Sequence, residues 1–459
     1  MPTVKPTLPK GTRDFLPENM WRRQYVINTI KNIFERYGYE PLETPAIEKL
    51  EVLSGKYGEE GESLIFKVLK RGTPLEELLR DRKELVVQDY HELVNEALRY
   101  DLTVPLSRVV AMYQHELIFP FKRYQIQPVW RADRPQRGRY REFYQCDVDT
   151  IGTESMLADA EAIAIVYEVL NSLKFKKFKI RINNRKILNG IVNYAGILAE
   201  KGHLVFIAID KLEKIGLEGV QKELAERGIN SKQADKIFQV LEISQTSKKV
   251  LEELAGGFAE VEEIRQGTEE LLQIVQHLKN LDVPDTYYKI DLYLARGLGY
   301  YTGPIHESVV EEPKIGSLTG GGRYDNLIGM FSGREIPATG VAFGIERIID
   351  VLSQQDMLPE SKTKSEVLVT LFDESTVEAS LKFTQQLRKA GVHAEHFFDL
   401  SKLKKQFTFA DKKKIPFVVI IGPDEMQKQQ VTIKELSTGE QKVLQWEEAV
   451  KFILQAHSE

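Results

Sequence analysis

The stretch Arg131-Ala-Asp-Arg-Pro-Gln-Arg-Gly-Arg-Tyr-Arg-Glu-Phe-Tyr-Gln145 lies between and across two strand-forming runs, Arg123–Arg131 and Tyr140–Asp149. A polar bend carrying Gly and Pro between two such runs predicts a long antiparallel hairpin. Arg131, Arg134, Arg137, Arg139 and Arg141 fall within eleven positions of it. On charge alone such a cluster is a solvated face. Beside Phe143, Tyr144 and Gln145, however, it suits a polyphosphate that carries an aromatic base. Guanidinium forks grip phosphate oxygens in pairs and stack on planar rings.

Upstream of the hairpin, Trp21, Tyr25, Ile30, Ile33, Phe34 and Tyr37 repeat with a helical period that stops at Gly38. Tyr39-Glu-Pro-Leu-Glu-Thr-Pro45 reads as extended, because each proline biases its predecessor away from helix. Residues 72–100 are charged and weakly periodic, and the pattern predicts a helical insertion there. Downstream, Leu157, Ala160, Ile163, Ala164, Tyr167 and Leu170 mark a helix from Met156 to Leu173.

Between Lys186 and Asp285 the chain turns to charged, helix-forming sequence, with breaks predicted at Gly202, Gly216, Gly228 and Gly256-Gly257. Alternation of Ile290, Leu292 and Leu294 predicts a strand over Tyr288–Ala295. A linker from Ser353 to Ser365 leads to a final α/β alternation. There a strand at Val367–Phe372, a helix at Val377–Ala390, a buried strand at Pro416–Ile421, a hairpin around Ser437-Thr-Gly-Glu440 and a last helix are expected. The pattern is that of an α/β and α+β multidomain chain. Residues 1–185 and 286–353 form an antiparallel-sheet domain, 186–285 a helical insertion, 354–365 a linker, and 366–459 a small α/β domain.

Composition narrows the classes. A chain of 459 residues, 42% apolar and 29% charged, is long enough for about three cores and shows no sign of disorder. Lys and Arg number 63 against 68 Asp and Glu, so the formal net charge is −5 and any nucleic acid must meet local basic surface. One cysteine, Cys146, excludes a disulfide framework and a Cys-based zinc site. The eight histidines show no short ligand spacing, and no apolar run approaches the ~20 residues of a membrane span. With no apolar leader at the N-terminus, a cytoplasmic location is expected.

The arginine-rich hairpin resembles motif 2 of class II aminoacyl-tRNA synthetases in the form found in histidyl-tRNA synthetases. Gly340-Val-Ala-Phe-Gly-Ile-Glu-Arg347 resembles motif 3 of that class, and Leu42-Glu-Thr-Pro45 its dimer-interface motif 1. Leu294-Ala-Arg-Gly-Leu-Gly-Tyr-Tyr-Thr-Gly303, followed by Glu307, and Gly320-Gly-Gly-Arg-Tyr-Asp325 resemble the two histidine-specific motifs. Lys10-Gly-Thr-Arg-Asp-Phe-Leu-Pro17, Leu403-Lys-Lys-Gln-Phe-Thr-Phe-Ala-Asp411 and Ile415-Pro-Phe-Val-Val-Ile-Ile-Gly422 extend the likeness over most of the chain.

The resemblance implies a class II antiparallel catalytic sheet with a C-terminal anticodon-binding domain. It also implies a ligase that joins histidine to ATP as histidyl-adenylate, releases pyrophosphate, and passes the acyl group to the 3′ end of tRNA(His). Arg131 and Arg296 would then grip the α-phosphate as catalytic groups and also contact the bound histidine, and Arg139 would meet the outer phosphates. Phe143 and Arg347 would enclose the adenine. Asp101, Thr103 and Gln145 would hold the ammonium of histidine, Asp149 and Tyr301 would bond its imidazole, and Tyr300 would line the same pocket. ATP would bring Mg2+, and the protein would be a homodimer with no membrane association.

Three positions depart from the common pattern. Asp133 stands where the class shows a glutamate, Asp101 where many bacterial members carry glutamate, and Gly299 where many are acidic. Asp101-Leu-Thr-Val-Pro105 and Gln145-Cys-Asp-Val-Asp149 resemble the archaeal and eukaryotic version. Lys402, Lys404, Lys405, Lys412, Lys413 and Lys414, interleaved with Phe407 and Phe409, would face the anticodon arm. The rival is a synthetase-like regulatory subunit of histidine biosynthesis without ligase activity. Joint possession of Arg131, Arg139, Arg296 and Arg347, and of the final α/β unit, argues against it.

Overall fold

The computed structural model describes residues 5–71, 80, 93–136, 138–243, 247–295, 299–359 and 363–456. Arg137, Arg296, residues 72–79 and 81–92, and linker residues 360–362 lie outside the described residues. The chain forms two compact units. Unit 1 comprises Met1–Arg13 and Val26–Met357, and unit 2 comprises Asp14–Tyr25 and Leu358–Glu459.

Unit 1 begins with most of α1 (Pro17–Arg36), whose Ile30, Ile33 and Phe34 are buried as the period predicts, with Val26 added to them. Trp21, Tyr25 and Tyr37 of the predicted period are only partly buried. Strands β1 (Glu40–Pro41), β2 (Ile47–Lys49), β3 (Lys67–Leu69) and β4 (Val94–Leu98) follow. Helix α2 (Thr103–Tyr113) leads to the hairpin β5 (Phe121–Trp130) and β6 (Glu142–Ile151), paired residue by residue from Phe121↔Ile151 to Trp130↔Glu142. Helix α3 (Met156–Ser172), capped by the Ser155 side chain, runs into β7 (Phe178–Asn184).

Among the described residues, six α-helices then follow in turn. They are α4 (Arg185–Tyr194), α5 (Gly202–Asp210), α6 (Leu212–Glu226), α7 (Ser231–Leu241), α8 (Ser247–Gly257) and α9 (Glu262–Asn280). Gly216 kinks α6 with φ +68°, and Gly228 follows it at φ +80°, both as the sequence predicts; Gly202 instead starts a helix. Helices α4 and α9 pack on each other, and α9 also packs on α3. Strands β8 (Tyr288–Ile290), β9 (Pro304–Val310), β10 (Thr319–Arg323) and β11 (Ala338–Phe343), and helix α10 (Ile345–Gln354), complete the unit.

Eight strands make one sheet in the order β1-β5-β6-β11-β10-β9-β7-β8, antiparallel except for the outer pairs β1·β5 and β7·β8. Phe34 of α1 closes one side of it against Tyr124 and Phe343, with ring centroids 5.8 and 5.5 Å apart. Strands β2, β4 and β3 form a separate small sheet.

Two expectations are corrected. Residues 94–98 form a strand rather than a helix, because β4 lies between β2 and β3 and pairs its backbone on both sides. The strand foreseen over Tyr288–Ala295 stops at Ile290. Asp291 turns the chain there by accepting from the Tyr293 N–H at 3.2 Å, while Arg181 holds the same carboxylate at 2.6 Å.

One core residue carries a testable cost. His306 on β9 sits opposite Gly321, is 3% exposed, and neither ring nitrogen has a hydrogen-bond partner. Burial lowers its pKa from 6.5 to about 4. The unfolded chain therefore takes up a proton that the folded one refuses, so this contribution falls as the pH drops from 6.5 toward 4. At 1.36 kcal/mol per unit, about 2–3 kcal/mol is lost by pH 4.5. His306→Phe should remove that slope, so that denaturant midpoints of variant and parent diverge between pH 7 and 4.5. Parallel pH dependence would refute it.

Unit 2 holds β12 (Val367–Val369), α11 (Val377–Lys389), β13 (Ala394–His396), α12 (Leu403–Lys413), β14 (Phe417–Ile420), α13 (Pro423–Lys428), β15 (Gln430–Glu435), β16 (Gln441–Gln445) and α14 (Trp446–Ala456). In its mixed sheet, in the order β13-β12-β14-β15-β16, the central strands β12 and β14 are covered on both faces, while the edge strand β16 is largely exposed. Val367, Val369 and Val419 pack with Phe383 and Ile453, and Leu368 and Val418 with Ala410 and Ile415.

Candidate active site

A cavity of about 660 Å³ opens on the large sheet of unit 1. Side chains alternate along a strand, so Phe143, Gln145, Asp147 and Asp149 on β6 share the cavity face while buried Cys146 and Val148 face the other way. Asp101, Thr103, Arg131, Arg139, Phe143, Gln145, Asp149, Tyr300, Tyr301 and Arg347, read from separate parts of the sequence, all line this one cavity.

One end is rich in acceptors. Asp101 Oδ1 accepts from Tyr57 Oη at 2.9 Å and from the Val104 N–H at 3.1 Å, so it steadies the start of α2. Its Oδ2 is buried without a hydrogen-bond partner, as is Gln145 Oε1. Asp149 receives Tyr324 Oη at 2.5 Å on Oδ1, and its Oδ2 lies 2.8 Å from Arg123 Nη2. Burial raises the pKa of Asp101, Asp147 and Asp149; Arg123 offsets it at Asp147 and Asp149, and the Val104 N–H and Arg131 offset it at Asp101. Tyr300 and Tyr301 stand beside them with ring centroids 5.0 Å apart, and burial pushes both phenol pKa values up.

The other end is cationic and aromatic. Arg131 lies over the Tyr100 ring at 4.3 Å and the Phe143 ring at 5.1 Å. Its Nε donates to Tyr100 O at 3.0 Å, which leaves the two Nη atoms for a ligand. Arg347 is held by Ser317 O at 2.8 Å. Arg139, whose side chain is 55% exposed, has Nη1 3.6 Å from Asp133 Oδ1. Arg13, from the N-terminal segment, stacks on Tyr140 at 3.4 Å and pairs with Glu346 at 2.5 Å, tying that segment to α10.

Several residues of the site had been given no role. Arg123 is fully buried, and Tyr57, Asp147 and Tyr324 line the cavity. A signal existed for the first: Arg123, Gln125 and Gln127 are polar at every second position of an otherwise apolar run, facing Asp149, Asp147 and Gln145 across the hairpin. The Gly-Gly-Gly-Arg-Tyr-Asp stretch divides its work. Arg323 binds Asp159 of α3, Tyr324 reaches Asp149, and Asp325 accepts from Thr302 Oγ1 at 2.7 Å. In unit 2, Phe407 belongs to the core beneath β12 and β14, whereas Phe409 is 38% and Phe398 86% exposed.

An antiparallel sheet presenting this cavity, with motif 3 as the strand β11 entering α10, defines a class II aminoacyl-tRNA synthetase. A family model of histidyl-tRNA synthetase matches residues 11–348, and one of the anticodon binding domain matches residues 365–456. The histidine–tRNA ligase of Cytophaga hutchinsonii is 42% identical, covering 97% of this chain and 99% of its own. That of Gloeobacter violaceus is 44% identical over 94% of each. The crystal structure of histidyl-tRNA synthetase from Nostoc sp. PCC 7120 superposes with a TM-score of 0.86 at 34% identity, covering 99% of this chain and 100% of that one. The chain belongs to the histidyl-tRNA synthetase family. An ATP phosphoribosyltransferase regulatory subunit/histidyl-tRNA synthetase from Bacillus halodurans C, at 21% identity and a TM-score of 0.71, shares the fold.

Proposed function

We propose that this histidine–tRNA ligase carries out adenylation in the unit 1 cavity, with histidine at the acceptor-rich end and ATP, as its magnesium complex, at the arginine and aromatic end. The observation that carries this reading is the set of buried acceptors without a hydrogen-bond partner that line the cavity, among them Asp101 Oδ2, Gln145 Oε1 and Asp147 Oδ1. Unpaired buried acceptors call for a donor-rich ligand, and an ammonium with three N–H groups supplies one.

Asp101, Thr103 and Gln145 hold that ammonium, and Asp149 and Tyr301 bond the imidazole beside Tyr300. Arg131 and Arg296 neutralise charge that builds on the α-phosphate as the histidine carboxylate attacks it, while Arg139 meets the outer phosphates. The adenine lies between Phe143 and Arg347. Positioning and preorganised charge supply the rate, since the carboxylate is itself the nucleophile.

Residues 1–185 and 286–353 act as the catalytic domain, with 186–285 as an insertion and 366–459 as the anticodon-binding domain. In the latter, exposed Phe398 and Phe409 offer surfaces for unstacked bases, and the lysines of α12 and its flanks meet phosphates. Among the described residues no helix is long and apolar enough to cross a membrane. Ile47, Leu69, Met112 and Ile118, apolar and exposed on the small sheet, on α2 and just after α2, suit a homodimer contact.

The test is ATP–pyrophosphate exchange. It should require L-histidine and be lost in Arg296→Ala with little change in histidine affinity. Histidine binding without exchange in the parent protein would favour the regulatory reading instead.

A further inference from the structure

Asp147 stands between Gln145 and Asp149 on the cavity face of β6, and no step above uses it. It is 3% exposed, and its Oδ1 is buried without a hydrogen-bond partner. Its cross-strand neighbours are Gln125 and Ala342. Ala342 carries no polar side-chain atom. The Gln125 amide nitrogen already donates to Thr44 Oγ1 at 2.9 Å and Gln127 Oε1 at 2.6 Å. Asp149, by contrast, accepts a hydrogen bond from Tyr324 on Oδ1 and has Arg123 Nη2 2.8 Å from its Oδ2 as an ion pair, although that contact is not a hydrogen bond. Tyr301 stands in the field of both carboxylates.

The two aspartates therefore divide the work. Asp149 is anchored within the protein and fixes the floor of the pocket, and Asp147 keeps an acceptor for an incoming donor. A buried carboxylate oxygen that is unpaired in the empty site favours any ligand that supplies an N–H there, and penalises one that does not. We propose that Asp147 is a further specificity residue, sharing with Asp149 the hydrogen bond of one ring N–H of the bound histidine while Tyr301 meets the other ring nitrogen. The assignment rests on the reading of the cavity as a histidine site.

The experiment uses the full chain and the exchange assay. Asp147→Ala should raise the KM for histidine about 10- to 100-fold and leave the KM for ATP unchanged. Asp147→Asn, which keeps one neutral acceptor, should recover part of the loss. The parent enzyme should reject both ring N-methyl isomers of histidine, and Asp147→Ala should relax that rejection for one isomer only.

An equal loss with histidine and with both methyl isomers would mark a merely structural role and overturn the inference. So would an active Asp147→Ala enzyme with unchanged discrimination. A parent protein without histidine-dependent exchange would overturn the histidine reading itself, and this inference with it.

Discussion

Gly340→Ala should lower histidine-dependent adenylation by at least about 10²-fold in a protein that still folds. A Cβ at Gly340 would lie 2.1 Å from Asp149 Oδ1, 2.5 Å from Asp149 Cγ and 2.6 Å from Val148 O. The carboxylate is the movable neighbour. It would swing off the floor of the pocket, away from Tyr324 and Arg123, while β11 and β6 shift slightly apart. Displacing a binding group by about 1 Å costs a factor of about 10², and the strain costs about 1–3 kcal/mol of stability. Exchange kinetics beside a thermal melt separate the two effects. Gly344→Ala is the control: its Cβ would meet Leu318 O at 3.2 Å, so a smaller effect is expected. If Gly340→Ala kept full activity, Asp149 would have no part in holding histidine.

That glycine shows which parts of the site were legible and which were not. The hairpin β5–β6 could be read because two strand-forming runs and an intervening polar bend are local signals, and its face follows from alternation alone. Assembly of the site depends on register. Gly340 faces Asp149 only because β11 pairs with β6 at that position, a contact between residues 191 apart in sequence. A glycine within a strand signals close approach, but it does not name what approaches.

Tyr57 and Tyr324 escaped notice for the same reason. A tyrosine near a small helix and another near the end of β10 look like core residues until Asp101 and Asp149 are found beside them. Where the sequence reading failed outright, tertiary pairing had overridden a local pattern. Val94–Leu98 is flanked by charged, helix-compatible sequence, yet two neighbouring strands claim its backbone. Phe407 sits among lysines that suggest a nucleic-acid surface. The helical period nevertheless turns it inward toward Ala410 and Ile415, leaving Phe409 outward.

Arg123 is the residue on which the acidic end of the cavity depends. Its side chain is fully buried, with Nη2 2.8 Å from Asp149 Oδ2 and Nη1 3.3 Å from Gln125 Oε1. It is also the largest influence opposing burial at both Asp147 and Asp149. Arg123→Met keeps most of the volume and removes the charge. Two buried carboxylates are then left uncompensated, and the variant should lose about 3–5 kcal/mol of stability together with histidine-dependent exchange.

The pH dependence gives the cause away. Without Arg123 the folded-state pKa values of these carboxyls rise further, so the folded protein holds protons that the unfolded chain releases. Stability of the variant relative to the parent must then fall as the pH rises above the ordinary aspartate range, and recover as it is lowered from 7 toward 5. Adding Asp149→Asn to Arg123→Met should restore part of the loss at pH 7, because one of the stranded charges is gone. Denaturant unfolding of the single and double variants at pH 7 and pH 5 tests both points. A deficit that is equal at the two pH values, and unrelieved by Asp149→Asn, would mean that Arg123 stabilises the fold by packing and that the acidic end of the cavity needs no counter-charge.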